Sequence, residues 1–329
     1  MTTIAATLQS FFTDRLARHR QASPHTIMAY RDTLRMLLVF LQERTGTAPS
    51  KLDWSDLTAE SIAAFLDHLE ADRGNSARTR NARLTAIRSL FTYAALRHPE
   101  HAAEIARVLA IPAKRFDKAT VSYLNTNEIT AVLAAVDRSR WEGRRDYTLI
   151  LLAIQTGLRI SELLGLTTDD VTLGVGAHVR CYGKGRKHRA VPLNDPVQHV
   201  LHDWLTERCG QPGEPVFVTR AGRQLSPDAV QRRIGLYANR AGATCPSLRD
   251  RKLSPHVFRH TSAMNLLHAG VDTTVIALWL GHADVRSTNV YLHADLSIKE
   301  RALARVAPFG TPTTRYQPCD QLLAFLDEL

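Results

Sequence analysis

The chain has 329 residues, which is long for one compact unit and favours two domains. Apolar residues make up 44% of it and charged residues 22%, so the composition is that of a globular protein rather than a disordered one. Lys and Arg outnumber Asp and Glu by 42 to 32, a formal net charge of +10. This surplus indicates a polyanionic partner, with nucleic acid as the first candidate and an anionic membrane surface as the second.

Neither a membrane span nor a secretion signal is expected from the apolar pattern. No apolar run reaches the roughly 18 residues that a spanning helix needs. The first residues show no basic region followed by an apolar stretch, so we predict no signal peptide. The cysteines are scattered without a CxxC spacing, which argues against a zinc site or a disulfide framework: Cys181, Cys209, Cys245 and Cys319. Together these features favour a reducing, cytoplasmic setting.

The first hundred residues predict short helices. Ser23 and Pro24 form a helix start, and apolar residues recur at three- and four-residue spacing over residues 27–41. A second helix is predicted to open at Thr58, and a third to run over about residues 76–96.

The third predicted helix also carries four basic positions: Arg78, Arg80, Arg83 and Arg88. Such a helix could lay cationic side chains along a DNA backbone. An ordinary solvated helix face is the alternative, and the helix taken alone does not separate the two.

Beyond residue 110 the pattern changes twice. A polar, basic, Pro-containing stretch predicts an interdomain linker over residues 112–122. Residues 177–182 and 189–193 alternate apolar with polar positions around a Gly-Lys-Gly turn, which predicts a β-hairpin. Helical patterns occupy much of the remainder: residues 128–136, 147–156, 196–208, 226–241, 256–269 and 273–280. The chain then becomes loop-like and closes with a short amphipathic helix, residues 320–329.

Four separated segments carry chemically useful side chains. Arg159 follows a glycine at the start of an apolar helix, with Glu162 three residues on. The hairpin tip is basic and contains Lys184, Arg186 and Lys187. The other two segments hold His256 with Arg259, three residues apart on one helix face, and His282 followed nine residues later by Tyr291.

Together these segments resemble the tyrosine recombinase (phage integrase) superfamily, its Xer-like and transposon-borne members in particular. The resemblance covers nearly the whole chain and implies a metal- and cofactor-independent enzyme that cleaves and rejoins DNA through a 3′-phosphotyrosine. It also implies the site residues. Arg159 would be the first arginine, Lys184 the hairpin lysine, His256 and Arg259 the HxxR pair, His282 the further histidine and Tyr291 the nucleophile.

The chemistry of the reaction explains these residue types. Attack on a phosphodiester builds negative charge on its non-bridging oxygens, and two forked guanidiniums can hold that charge without a metal ion. Tyrosine is a weak nucleophile at its free pKa of about 10, so a base such as His256 is needed to take its proton. Lys184 could protonate the leaving 5′-oxygen, and His282 could donate a hydrogen bond to the phosphate.

Each residue also has an ordinary structural interpretation. Arg159 could merely pair with Glu162, the hairpin tip could be a solvated turn, and Tyr291 could be half-buried packing. The joint occurrence of all six types in the right order favours the site. His260 and Thr261 are expected to support the HxxR pair rather than react, while Lys187 and Arg189 are alternatives to Lys184 in the hairpin role.

The predicted fold is mainly α with a small β-sheet or hairpin. The resemblance implies an N-terminal helical, SAM-like, core-binding domain over residues 1–111 and an α+β catalytic domain over 123–307. Residues 308–329 form a tail with a terminal helix, which we expect to contact another protomer in a tetrameric synapse. Folding back onto its own chain is the alternative.

The expected partner is double-stranded DNA with inverted half-sites, and the expected biological role belongs to a mobile element. A membrane partner fits poorly because the basic residues are dispersed over helices and a hairpin. Two other functions stay open: relaxation of supercoils, as type IB topoisomerases perform it, and a catalytically silent DNA-binding regulator.

Overall fold

A computed structural model describes residues 4–117, 121–183, 188–282 and 287–292. The chain divides into two compact units, Met1–Ala119 and Thr120–Leu329. Both are mainly helical, and a small antiparallel sheet lies in the second, which confirms the predicted fold class. None of the helices in the described ranges is long and apolar enough to cross a membrane.

Five α-helices are described in the first unit, and a π-helical segment, Phe11–His19, continues the first of them. They are α1 Ile4–Ser10, α2 Pro24–Thr45, α3 Ala59–Ala71, α4 Ala77–Ala94 and α5 Ala102–Ala110. The side-chain oxygens of Ser23, Thr58 and Ser76 each accept a backbone N–H in the first turn of the helix that follows. These caps satisfy donors that a helix start leaves free, and they confirm the three predicted helix starts.

Helix α4 lies at the centre of this unit and packs against α2, α3 and α5. Its apolar positions Leu84, Ile87, Leu90 and Phe91 are each at most 1% exposed. Their three- and four-residue spacing gives the helix one continuous buried face.

Eight α-helices are described in the second unit. They are α6 Thr126–Ala134, α7 Trp141–Thr156, α8 Ile160–Leu164, α9 Asp195–Arg208, α10 Pro227–Ala241, α11 Pro255–His268, α12 Thr273–Leu280 and α13 Asn289–Leu292. Helix α7 packs against both α9 and α11 and forms the middle of the core. It begins at Trp141, not at Tyr147 as predicted. Its early turns bury the ion pair of Arg145 with Asp146, whose atoms are 2.8 Å apart, and such buried charges mask an apolar period.

The sheet confirms the predicted hairpin. Strands β1 Val171–Thr172, β2 His178–Tyr182 and β3 His188–Pro192 pair antiparallel in that order. In the β2–β3 register Val179 faces Val191, and Cys181 faces Arg189. Alternation along β2 buries Val179 and Cys181, so one face of the sheet covers the core.

Candidate active site

The C-terminus of α7 leads directly into the first expected site residue. Helix α7 ends at Thr156, and the next residue, Gly157, adopts a left-handed conformation with φ of 64°. A Cβ added there would lie 2.6 Å from Cδ2 of Leu280 and 2.9 Å from Oγ of Ser262. Only glycine therefore permits this close approach of α7 to α11 and α12.

Arg159 is the N-cap residue of α8, and its contacts are made with Glu162. The backbone N–H of Arg159 donates to Oε2 of Glu162 at 2.8 Å, and Nη1 donates to Oε1 at 2.7 Å. Nη2 donates to the carbonyl of Gly281 at 3.3 Å. The expected ordinary pairing of Arg159 with Glu162 is thus present, and it orients a guanidinium whose side chain remains 29% exposed.

Arg259 lies on α11 and is only 4% exposed. Its Nη1 donates to the carbonyl of Gly157 and its Nη2 to that of Leu280, both at 2.7 Å. Burial, followed by the charge of Arg159, lowers the pKa of Arg259 to about 10, so the group stays cationic at neutral pH.

A third arginine completes this arrangement. Nε of Arg189, on β3, donates to the carbonyl of Trp279 at 2.9 Å. Three consecutive carbonyls at the C-terminus of α12, those of residues 279, 280 and 281, thus each accept from a different arginine. Carbonyls at a helix C-terminus have no partner within the helix and carry the negative end of its dipole, which explains why cations gather there.

Tyr291 lies on α13 in the same unit and is 2% exposed. Its hydroxyl is 3.1 Å from Nδ1 of His260, and its ring stacks almost parallel to that of His282, with centroids 6.4 Å apart. Burial raises the pKa of Tyr291, while the positive charges of Arg259 and Arg159 offset part of that rise. The phenol is therefore protonated at neutral pH and needs an acceptor for its proton.

Both histidines beside Tyr291 are shifted toward the neutral form. Burial, then the charges of His256 and Arg259, lowers the pKa of His260 below its ordinary value. Burial, then the charges of Arg259 and Arg159, lowers the pKa of His282 to about 4. Nδ1 of His282 lies 2.8 Å from the hydroxyl of Thr288, which fixes the orientation of the ring.

The described residues near these groups include no cluster of metal-binding side chains. Across the described ranges, no three His, Cys, Asp or Glu side chains come close enough together to hold a metal ion. Among the described residues, the guanidinium groups of Arg259 and Arg159 supply the positive charge that acts on Tyr291.

Two family profiles match the chain. The phage integrase family matches residues 122–297, and the phage integrase N-terminal SAM-like domain matches residues 10–98. The chain belongs to the phage integrase family of tyrosine recombinases. This confirms the family and the enzyme class expected from the motifs.

Relatives of this recombinase match over nearly their full lengths. The integrase/recombinase y4rC of Sinorhizobium fredii is 49% identical over 326 residues, which are 99% of this chain and 98% of that protein. The tyrosine recombinase XerC of Rhodospirillum centenum is 34% identical over 313 residues, 93% of this chain and 89% of XerC.

Solved structures of integrases share the fold. The XerH site-specific recombinase bound to palindromic difH substrate, in a post-cleavage complex, aligns with a TM-score of 0.69 and 24% identity, covering 90% of this chain and 84% of XerH. The Tn1549 transposon integrase in complex with transposon right end DNA aligns with a TM-score of 0.70 and 17% identity, covering 92% of this chain and 99% of that one. At such identities the likeness concerns the fold.

The structure of this tyrosine recombinase separates the two histidines of α11. His256 lies in the exposed first turn, whereas the hydroxyl of Tyr291 meets His260. The sequence predicts that His256 takes the proton and that His260 acts as a support. The HxxR spacing singles out His256, but His260 follows Arg259 directly and is turned toward α13 by the packing of the two helices.

The remaining expected residues belong to the hairpin tip and to strand β3. Lys184, Arg186 and Lys187 lie outside the described residues. Their place in the hairpin tip stays a prediction. Arg189, the sequence alternative to Lys184, has a side chain that is only 11% exposed, and each of its three guanidinium nitrogens donates to Glu162 or to the carbonyl of Trp279.

In the SAM-like unit the four arginines of α4 differ in their surroundings. Arg80 is 5% exposed, lies 3.4 Å from Glu70 and donates to the carbonyl of Pro112. Arg83 donates to Oγ1 of Thr33 at 2.9 Å, and Arg88 donates to a carbonyl of the segment after α5.

Of the four, Arg78 alone is exposed, with its guanidinium carbon 5.4 Å from the centre of the Phe116 ring. The expectation that all four lie along a DNA backbone therefore does not fit Arg80, because its charge is used inside the unit. Helical spacing identifies the basic positions of α4 but not which of them a neighbouring segment covers.

Proposed function

We propose that this recombinase cleaves and rejoins DNA at a specific site through a covalent bond between Tyr291 and a 3′-phosphate. The observation that carries the proposal is the shared anchorage of Arg159 and Arg259. They donate to the adjacent carbonyls of residues 281 and 280, directly before His282, whose ring stacks against that of Tyr291. Two cations and a nucleophile are thereby held at one place.

In the proposed first step, Oη of Tyr291 attacks the phosphorus and the bond from phosphorus to the 5′-oxygen breaks. Arg159 and Arg259 stabilise the charge that develops on the non-bridging oxygens. The 5′-oxygen takes a proton from Lys184, whose role rests on its place in the hairpin motif. Rejoining reverses the step with a different 5′-hydroxyl, so the phosphotyrosine bond conserves the energy of the broken one.

The proton of Tyr291 passes to a histidine. His260 is within hydrogen-bond distance of the hydroxyl, and its lowered pKa keeps it neutral and able to accept. His256, proposed from the HxxR motif, lies in the exposed first turn of the same helix, where it is available to the DNA backbone.

His282 is proposed to donate a hydrogen bond to the phosphate. A neutral imidazole carries one proton, and when Nδ1 accepts from the hydroxyl of Thr288 that proton resides on Nε2. The ring is held neutral by its pKa of about 4, so it contributes a directed donor rather than a further charge.

DNA outside the reacting phosphate would be held by cations of both units. We assign the remaining basic positions of α4 and of the hairpin tip to phosphate contacts, which position the duplex without reading its sequence: Arg78, Arg83, Arg88, Arg186 and Lys187. The substrate proposed is double-stranded DNA with inverted half-sites, which suits an assembly of identical protomers.

The terminal helix is proposed to join those protomers into a tetrameric synapse. Its apolar positions form a stripe that a short helix on a Pro-rich tether cannot bury by itself: Leu322, Leu323, Phe325, Leu326 and Leu329. We assign the recombinase to a mobile element acting in the cytoplasm. Removing residues 318–329 should weaken cooperative assembly on DNA while sparing the binding of one protomer, and unchanged tetramers would contradict the assignment.

The test of the proposed chemistry uses a duplex copied from the inverted repeat that the full chain selects from its source genome. A nick near the cleavage position lets the released fragment diffuse away, which traps the covalent adduct. We expect a denaturation-resistant protein–DNA adduct with the wild type and none with Y291F, which should bind the same duplex with unchanged affinity.

Two outcomes would overturn the proposal or redirect it. Binding without an adduct would identify a DNA-binding regulator instead of an enzyme. Relaxation of a supercoiled plasmid without strand exchange between two labelled duplexes would identify a topoisomerase.

A further inference from the structure

Arg189 is a buried cation at the active site that the proposed chemistry does not use. It lies on β3 opposite Cys181, and its side chain is 11% exposed. All three nitrogens of its guanidinium donate within the protein. Nη1 and Nη2 bind the two oxygens of Glu162 at 3.2 Å and 2.8 Å, and Nε binds the carbonyl of Trp279 at 2.9 Å.

Glu162 is therefore shared between two arginines that hold it differently. Arg189 makes the forked pair, with one nitrogen on each carboxylate oxygen. Arg159 makes a single side-chain bond to Oε1, and Oε2 receives its backbone N–H. Forked pairing is the stronger and more directional geometry for arginine with carboxylate. Because Arg189 occupies it, Arg159 cannot close the same fork on Glu162.

Arg159 therefore keeps part of its guanidinium group available for other contacts. Its side chain is 29% exposed, and its Nη2 makes only a long contact of 3.3 Å to the carbonyl of Gly281. A guanidinium held at one nitrogen and exposed at the other can turn its remaining donors to a phosphate. A guanidinium locked into a fork with a buried carboxylate would lose that freedom and much of its effective charge.

Packing at Gly281 supports a fixed position for Arg189. Gly281 ends α12 with φ of 65°, and a Cβ there would lie 2.6 Å from Nη1 of Arg189 and 3.0 Å from its Cζ. The guanidinium thus fills the space beside the turn that leads to His282. Through this contact β3 is tied to the C-terminus of α12, and through Glu162 it is tied to α8.

We propose that Arg189 is a positioning residue that engages Glu162 with a forked pair and so leaves Arg159 free to bind the reacting phosphate. The assignment rests on the proposed function, because it concerns how that site presents one of its two phosphate-binding arginines. It excludes Arg189 itself as the hairpin's proton donor, since a guanidinium in a forked pair with a carboxylate does not release a proton.

The experiment measures single-turnover adduct formation by the full chain on the nicked duplex described above, at saturating protein. R189M removes the fork and the charge, and R189K keeps the charge without the fork. For both we expect adduct formation to slow by about 10- to 100-fold, the range that follows from misplacing one catalytic group. Affinity for the duplex should change by less than about threefold, because the guanidinium of Arg189 is directed to Glu162 and Trp279 and one contact is a small part of the total phosphate contacts.

The matched control is R180M. Arg180 lies on β2 of the same hairpin but is exposed, and it donates to the carbonyl of Asp169 on the outer side. Its variant should form the adduct at the wild-type rate. If R189M does not fold, as judged by thermal unfolding, R189K carries the test alone with the same expected loss.

A charge-removal test separates positioning from simple structural support. In R189M the whole charge of Glu162 faces Arg159, so adding E162Q should release Arg159 and make the double variant about tenfold faster than R189M. A merely structural Arg189 predicts no such rescue, and an additive or greater loss overturns the assignment.

Wild-type rates in R189M and R189K would also overturn it while leaving the proposed function intact. If the wild type itself forms no adduct, the proposed function fails, and the assignment fails with it.

Discussion

The hydroxyl of Tyr291 lies 3.1 Å from Nδ1 of His260. The two residues belong to α13 and α11, which pack against each other in the catalytic unit. This contact places the only described partner of the phenol one residue after Arg259, and not at the histidine of the HxxR spacing.

Replacing His260 should therefore slow the attack more than replacing His256. H260Q keeps a polar side chain but removes the base, and we expect adduct formation to fall by about 10²-fold or more. H256Q, the matched control on the same helix, should have the smaller effect. Single-turnover rates on the nicked duplex check this, and an H256Q defect larger than that of H260Q would contradict it.

The same contact predicts how the rate depends on pH. His260 must be neutral to accept the proton, and burial lowers its pKa below the ordinary 6.5. The midpoint of the decline in adduct formation should thus lie below pH 6.5. A decline already centred above that value would show that another group accepts the proton.

His282 should make the protein less stable in mild acid. Its pKa is about 4 in the folded state against 6.5 when exposed, so between these values the unfolded chain binds more protons. The stability that the neutral His282 ring contributes is fully present above pH 6.5 and is lost as the pH falls toward 4. The size is of order 1–3 kcal/mol, since one pKa unit corresponds to about 1.4 kcal/mol.

Urea unfolding at several pH values measures that contribution. The free energy of unfolding should fall more steeply between pH 6.5 and 4 in the wild type than in H282Q, which lacks the titrating ring. Equal slopes in the two proteins would contradict the shifted pKa.

Two arginines of α4 should separate DNA binding from stability. R78A removes an exposed cation, so it should weaken DNA binding and reduce the slope of log affinity against log salt concentration by about one. The free energy of unfolding should stay unchanged. R80A removes a buried side chain, although Glu70 keeps Lys114 as a partner, so it should destabilise the first unit by roughly 1–3 kcal/mol. Binding titrations at several salt concentrations and urea unfolding check both. A stability loss in R78A with a binding loss in R80A would contradict the burial pattern.

Much of this protein is determined by the order of its residues alone. The caps Ser23, Thr58 and Ser76 and the alternation around the hairpin indicate helix starts and strands, because these signals act over a few residues. The residue types of the expected site, two arginines, histidines and a tyrosine in a fixed order, likewise indicate the family. Local chemistry is sufficient for both.

Tertiary structure alone decided which of those residues meet. Helical spacing predicts the same DNA-contacting role for Arg78 and Arg80. Arg80 is nevertheless buried, because a carboxylate and a carbonyl from other segments contact it. In the same way His260 meets Tyr291, and Arg189 is drawn to Glu162 and α12, through contacts between elements distant in the chain. A sequence pattern sets the face on which a side chain lies, whereas its partner depends on which element packs against that face.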